Sequence, residues 1–346
     1  MAPGAAAAGA EFLVTARPES WELAWEDVRA ADGGARLGQS VAPGVFLVAA
    51  TLDAAALSER LQRRGPFVRH LFSVHYRVSP GFAPAVWADA GKALAGRLDP
   101  ALGAGLQLRW VGQGPLPPWV MDLRRTLDTA LQQCGAPPGG PAPPQAISVV
   151  ASEAGAWMGT SPTWHNLSPW SGGAAPTSRV GAVSRAASKL LEALRMFDLP
   201  WPQSGRALDL GAAPGGWTGV LVERGLSVVA VDPAALAEPW AHHPHVAHHR
   251  ETAEAYAQRP RAPGDSVQLL VNDMRLEAAY SARCMAMLSG RLQSGGLAVM
   301  TLKLHEVRRR RQVREAVRIL ESEYTVAGCR QLYHNRSEVT LALMRH

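Results

Sequence analysis

Cysteine is scarce in this chain: Cys134, Cys284 and Cys329 are odd in number, far apart and free of C-x-x-C spacing. That excludes a disulfide framework and a cysteine-built zinc site, and it fits a reducing compartment. No apolar run approaches the roughly 18 residues of a membrane-spanning helix. Met1 to Ala10 has neither the basic start nor the apolar core of a signal peptide. A cytoplasmic protein without membrane contact is expected, with residues 1–10 as a disordered tail. What is plentiful is apolar and basic. A hydrophobic content of 47% over 346 residues supports more than one core. A net charge of +6 and a pI near 9.6 favour a polyanionic partner, although much of the charge is arginine in an Ala-, Gly- and Pro-rich chain of high-GC character.

The stretch Arg206 to Trp217 organises the rest. Ala207, Leu208 and Leu210 form a short buried strand after which Gly211 turns the chain; Gly215 and Gly216 then let a ligand approach backbone at the start of a helix ending at Glu223. A second strand, Leu226 to Asp232, ends in an acid about 20 residues past the loop, where a Rossmann-type site sets a carboxylate on ribose hydroxyls. The dinucleotide fingerprint G-x-G-x-x-G is absent, since Ala213 and Pro214 occupy the loop. Asp209-x-Gly211-x-x-Pro214-Gly215-Gly216-Trp217 instead resembles the loop of S-adenosylmethionine-dependent methyltransferases of the FtsJ type.

Ahead of this unit, strands at 11–16 and 44–49 and helices at 21–30 and 52–64 predict a small α/β or ferredoxin-like domain over 11–75. Phe67 to Val78 mixes aromatics with Arg69, His70, His75 and Arg77. It reads either as an RNA-facing strand that stacks bases or, preferably, as an amphipathic element packed on a neighbour. A helix at 86–98, a strand at 106–111, a helix at 118–134 and strands at 146–151 and 156–160 complete a second unit over 76–165. Residues 166–175 read as a turn-rich linker. The third domain, 176–346, alternates helix and strand: helices at 184–197, 280–292 and 306–322, strands at 267–272, 297–303, 324–332 and 338–344. A doubly wound, mostly parallel sheet with an antiparallel last strand is predicted.

Charges directly after apolar strands are hard to explain by packing, and ligands of open α/β sheets lie at the carboxyl ends of strands. Asp232, Asp273 and Lys303 fall there. His242 to His249 carries five imidazoles with no zinc spacing and no acid or cysteine to complete a site, so no metal is expected. Arg308, Arg309, Arg310 and Arg311, at the start of a helix, sit poorly against its positive end and would be relieved by phosphate; RNA contact is the reading.

Lys189, Asp273, Lys303 and Glu338, with the closing stretch Arg330 to Thr340, resemble the Lys-Asp-Lys-Glu tetrad of ribose 2'-O-methyltransferases. The similarity is greatest to the RlmM family, strongest over 176–346 and 155–169. It implies methylation of a cytidine 2'-hydroxyl in 23S ribosomal RNA, with an N-terminal ferredoxin-like and THUMP RNA-binding region. It implies S-adenosylmethionine held by Asp209, Gly211, Ala213, Pro214, Gly215, Gly216, Trp217, Asp232 and Asp273. The RNA is expected bare or partly assembled, and the protein a monomer. The sequence departs from the pattern at Ala213, where cysteine is expected, and at Thr252, where an acid is expected. A small-molecule or protein O-methyltransferase and a non-catalytic rRNA assembly factor stand as alternatives.

Overall fold

The computed structural model describes residues 10–81, 84–140, 142–175, 185–262 and 264–346. The chain divides into two compact units, Met1–Pro176 and Thr177–His346. The expected tail, but for Ala10, and the expected domain start at 176–184 lie outside the described residues. Among the described residues no helix is long and apolar enough to cross a membrane.

The first unit opens with β1 (Ala10–Thr15), α1 (Trp21–Ala31), β2 (Arg36–Ala42), β3 (Val45–Ala50), α2 (Ala54–Arg64) and β4 (His70–Ser73). Its sheet has the order β2-β3-β1-β4 with antiparallel neighbours, a split β-α-β arrangement. Then come β5 (Tyr76–Val78), α3 (Pro84–Ala95), β6 (Ala104–Trp110), α4 (Pro118–Gln133), β7 (Gln145–Ser152) and β8 (Gly155–Pro162), in a second sheet ordered β5-β8-β7-β6. Leu13, Leu47 and Phe72 of the first sheet share a buried cluster with Val150 and Trp157 of the second.

Phe67 to Val78 follows the preferred reading of a packed element, not that of an RNA-facing strand: it is split between β4 and β5, and Phe67, His70 and Phe72 are buried. Residues 166–175 are not a free linker. Gly172 and Gly173 are buried, the Gly172 carbonyl accepts from Thr15 Oγ1 at 3.0 Å and Arg109 Nη1 at 2.6 Å, and Gln107 Nε2 donates to the Pro169 carbonyl at 2.7 Å. Side chains of the first unit satisfy this backbone, so the segment packs with it.

The second unit runs α5 (Arg185–Met196), β9 (Gly205–Leu210), α6 (Gly216–Glu223), β10 (Leu226–Val231), β11 (Val246–His249), α7 (Ala253–Ala257), β12 (Val267–Asn272), α8 (Ala278–Leu288), β13 (Leu292–Lys303), α9 (Arg309–Leu320), β14 (Tyr324–Arg330) and β15 (Glu338–Arg345). The seven strands are ordered β11-β10-β9-β12-β13-β15-β14, and β15 alone runs opposite to the other six. Strand order reverses between β9 and β12, which opens a crevice at their carboxyl ends. The histidine-rich stretch, for which no strand is expected, supplies edge strand β11. α9 begins three residues later than expected because Arg308 adopts a left-handed conformation, φ 67°, which stops the helix from extending backwards.

Candidate active site

β9 runs into the glycine loop, and two of its glycines answer specific demands. Gly211 has φ 73°, and a Cβ there would lie 2.7 Å from Met274 Cγ. Gly215 has φ 116°, and a Cβ would meet Trp240 Cδ1 at 2.5 Å. Gly215 therefore makes room for Trp240. A cavity of about 840 Å³ opens at the loop, walled by Gly211, Ala213, Pro214, Gly216, Trp217, Asp232 and Asp273 among others. Asp209 and Gly215 are not on its wall.

Asp232 holds the loop as well as facing the cavity: its carboxylate accepts from the Ala213 N–H at 3.1 Å and the Ala234 N–H at 2.8 Å. Trp217 Nε1 donates to the Ala186 carbonyl at 2.7 Å, which ties the loop to α5. Thr252, at the position expected to be acidic, caps α7 by accepting from the Ala255 N–H at 3.3 Å. The neighbouring Glu251 and Glu254 put carboxylates on that wall instead, and Glu254 accepts from the Tyr280 hydroxyl.

Asp209 lies beneath the loop, 1% exposed, accepting from Thr218 Oγ1 at 2.7 Å. Burial raises its carboxyl to about 7, with the like charges of Asp273 and Asp232 adding to the shift. The folded protein therefore keeps this proton after the unfolded chain has released it near the ordinary 3.8, so stability falls as pH rises from about 4 to about 7. Asp209→Asn removes that loss: its unfolding free energy, relative to wild type, is expected to be larger, and the variant so relatively more stable, at pH 8 than at pH 4. Equal differences at the two pH values would contradict this.

Four charged side chains converge from separate elements, of which Asp273 is on the cavity wall: Lys189 from α5, Asp273 just after β12, Lys303 at the end of β13 and Glu338 at the start of β15. The β13/β15 register sets Lys303 directly opposite Glu338. Lys189 Nζ donates to Glu338 Oε1 at 2.7 Å and lies 3.6 Å from Asp273 Oδ1. Lys303 Nζ donates to Asp273 Oδ1 and lies 3.5 Å from Glu338 Oε1. Each ammonium thus faces both carboxylates in a closed ring. Lys303 is the more open of the two amines, its side chain 22% exposed against 7% for Lys189. Burial holds Lys303 below the ordinary lysine range and Lys189 pushes the same way, while Asp273 opposes. Burial works to raise the Glu338 carboxyl, but Lys189 and the Arg336 N–H overcome it and hold it at about 2.

Two members of this assembly were not expected from sequence. Thr301, fully buried, donates to Asp273 Oδ1 and accepts from Lys303 Nζ at 2.7 Å. It lies two residues before Lys303 on the same strand face, a period-two signal that could have found it. Glu192, one turn beyond Lys189, accepts from the N–H groups of Tyr333 at 2.6 Å and His334 at 2.9 Å, with His334 Nδ1 2.8 Å away. It fastens the loop before Glu338 to the helix that carries Lys189. A lone helix acid gives no sequence signal for that.

The four arginines do not form one patch. Arg309 is 9% exposed and faces the protein, Arg310 is half-buried, and Arg308 and Arg311 are exposed.

Residues 182–315 match the FtsJ-like methyltransferase family. The chain is also similar to curated relatives called ribosomal RNA large subunit methyltransferase M. The one from Ectopseudomonas mendocina is 39% identical over 180 residues, covering 48% of this chain and 49% of the relative. Those from Halorhodospira halophila and Laribacter hongkongensis are 39% and 36% identical over 168 and 178 residues. The chain spans about half the length of the curated relatives it matches. The second unit thus has the FtsJ-like, Rossmann-type methyltransferase fold, with the converged charges at the carboxyl edge of its sheet.

Proposed function

We propose that this protein is an S-adenosylmethionine-dependent ribose 2'-O-methyltransferase acting on a cytidine of 23S ribosomal RNA. The observation that carries the reading is the closed ring of Lys189, Asp273, Lys303 and Glu338, joined through Asp273 to the wall of a nucleoside-sized cavity. That cavity falls within the ~300–1,000 Å³ usual for cofactor sites, and it carries the acid expected to hold ribose hydroxyls, Asp232. The cofactor fits these residues: Asp232 for the ribose, Gly211 to Pro214 with Gly216 and Trp217 along one side, Asp273 at the reacting end, and Glu251 and Glu254 in place of the missing acid at 252. Bound there, it supplies a methyl group activated on a sulfonium.

Lys303 Nζ is the base that receives the 2'-hydroxyl proton. Asp273 and Glu338 position both amines and keep the site near neutrality, and Lys189 raises the cost of a second ammonium at Lys303. The first unit is read as a ferredoxin-like and THUMP region that grips RNA, and the substrate as bare or partly assembled RNA, because the target nucleotide has to be splayed into the pocket. A cytoplasmic monomer follows as the working form.

Because the base has to be neutral, turnover is expected to rise with pH along a one-proton limb ending below the ordinary 10.5 of lysine. A pH–rate profile of single turnovers checks this; a rate independent of pH from 6 to 9 would remove Lys303 as the base. The test of the function itself is transfer of labelled methyl from S-adenosylmethionine to deproteinised ribosomal RNA of cells lacking the protein. Label confined to the large-subunit RNA is expected. Label on the small-subunit RNA alone, or on no RNA, would overturn the proposal.

A further inference from the structure

The outer face of α9 carries a line of arginines that the proposed chemistry does not use. At 100° per residue, Arg311, Arg314 and Arg318 fall within a narrow arc of the helix surface. All three are exposed, while Arg309, Val313, Ala316 and Leu320 form the buried face opposite. The line extends about 10 Å along the helix axis, two turns of helix.

Some exposed helix arginines of this chain are paired, Arg63 with Glu59, Arg124 with Asp128 and Arg125 with Asp122, and what sets the α9 line apart is three arginines on one face. Among the described residues no ion pair or side-chain hydrogen bond engages Arg311, Arg314 or Arg318, although Glu315 stands four residues after Arg311. Three like charges on one face repel one another, and the α9 N-terminus offers no relief to a cation.

The position of the line is fixed relative to Lys303. α9 begins six residues after Lys303, and Gln312 clamps the connection: its Oε1 accepts from the His305 N–H at 3.0 Å and its Nε2 donates to the Val307 carbonyl at 2.9 Å. The ladder therefore follows directly on the carboxyl end of β13, where Lys303 lies, with Arg311 nearest to it along the chain and Arg318 farthest.

We propose that Arg311, Arg314 and Arg318 bind consecutive phosphates of the RNA strand flanking the target nucleotide, and so set the direction in which that strand leaves the site. The inference rests on the RNA substrate proposed above and replaces the cluster 308–311, of which Arg309 faces inward, with a ladder two turns long. An arginine line of this kind contributes electrostatic affinity without base readout.

The full chain with Arg311→Gln, Arg314→Gln and Arg318→Gln together tests this. Binding of large-subunit ribosomal RNA is measured across a potassium chloride series, beside methyl transfer and S-adenosylhomocysteine affinity. Loss of three phosphate contacts should flatten the plot of log affinity against log salt by about 2, at ~0.7 per contact on a single strand. KM for RNA should rise more than tenfold, with kcat at saturating RNA and S-adenosylhomocysteine affinity within twofold of wild type. A slope change below 1 with unchanged KM would overturn the proposal, as would a loss of kcat at unchanged RNA affinity. Wild-type protein that binds RNA with a steep salt slope yet methylates none would defeat the proposed reaction and leave the ladder standing.

Discussion

Lys303→Ala is expected to slow methyl transfer by about a thousandfold, within the ~10²–10⁴ that a positioned general base contributes, while S-adenosylhomocysteine binds within twofold of wild type. The asymmetry follows from placement: Lys303 is part of the ring but not of the wall that Gly211, Asp232 and Asp273 give the cavity. Its side chain is partly exposed and ends on Asp273 and Thr301, so truncation leaves the glycine loop untouched. Lys303→Arg should be as inactive, since a guanidinium with pKa above about 12 cannot take up a proton. Calorimetric titration beside single-turnover transfer separates the outcomes. Parallel loss of binding and rate would mean that Lys303 supports the fold of the site instead of acting in it.

Asp273→Ala should do more, and differently. Asp273 forms part of the cavity wall and is the acid shared by Lys303 and Thr301, with Lys189 3.6 Å away. Its removal leaves two ammonium groups facing one remaining carboxylate, Glu338. Breaking a largely buried ion pair costs about 3 kcal/mol or more, so urea unfolding should show a loss of that order. Transfer should fall below detection and S-adenosylhomocysteine affinity by at least tenfold. Rate loss with normal stability and normal cofactor affinity would show that Asp273 neither holds the cofactor nor balances the ring.

The candidate site was legible wherever a charge interrupts an apolar strand. Asp232, Asp273 and Lys303 end or directly follow β10, β12 and β13, and Glu338 opens β15. A sharper signal lies in composition. The chain has three lysines, Lys92, Lys189 and Lys303, among 35 basic residues; Lys92 is exposed on α3, and the other two meet in the ring. A chain that uses arginine nearly everywhere retains lysine where an amine of adjustable pKa is useful.

What stayed illegible depends on distant partners. Arg36 to Ala42 has no clear apolar alternation and is largely exposed, and it becomes a strand only because β3 offers it an edge. Residues 166–175 read as a linker until Gln107, Arg109 and Thr15 are seen to take up their carbonyls. Gly215 reads as a ligand glycine, and only the fold shows that it makes room for Trp240, more than 20 residues on. Glu192 looks like a solvated helix acid, and only the folded loop shows that it gathers three donors.

The most direct test of the account is the chemical position of the transferred methyl group. RNA labelled by the protein would be hydrolysed in alkali, which cleaves beside a free 2'-hydroxyl and spares a methylated one. Label recovered in an alkali-resistant dinucleotide, with cytidine at its 5' side, is the predicted result. Label released on mononucleotides would place the methyl on a base and contradict the role assigned to Lys189, Asp273, Lys303 and Glu338.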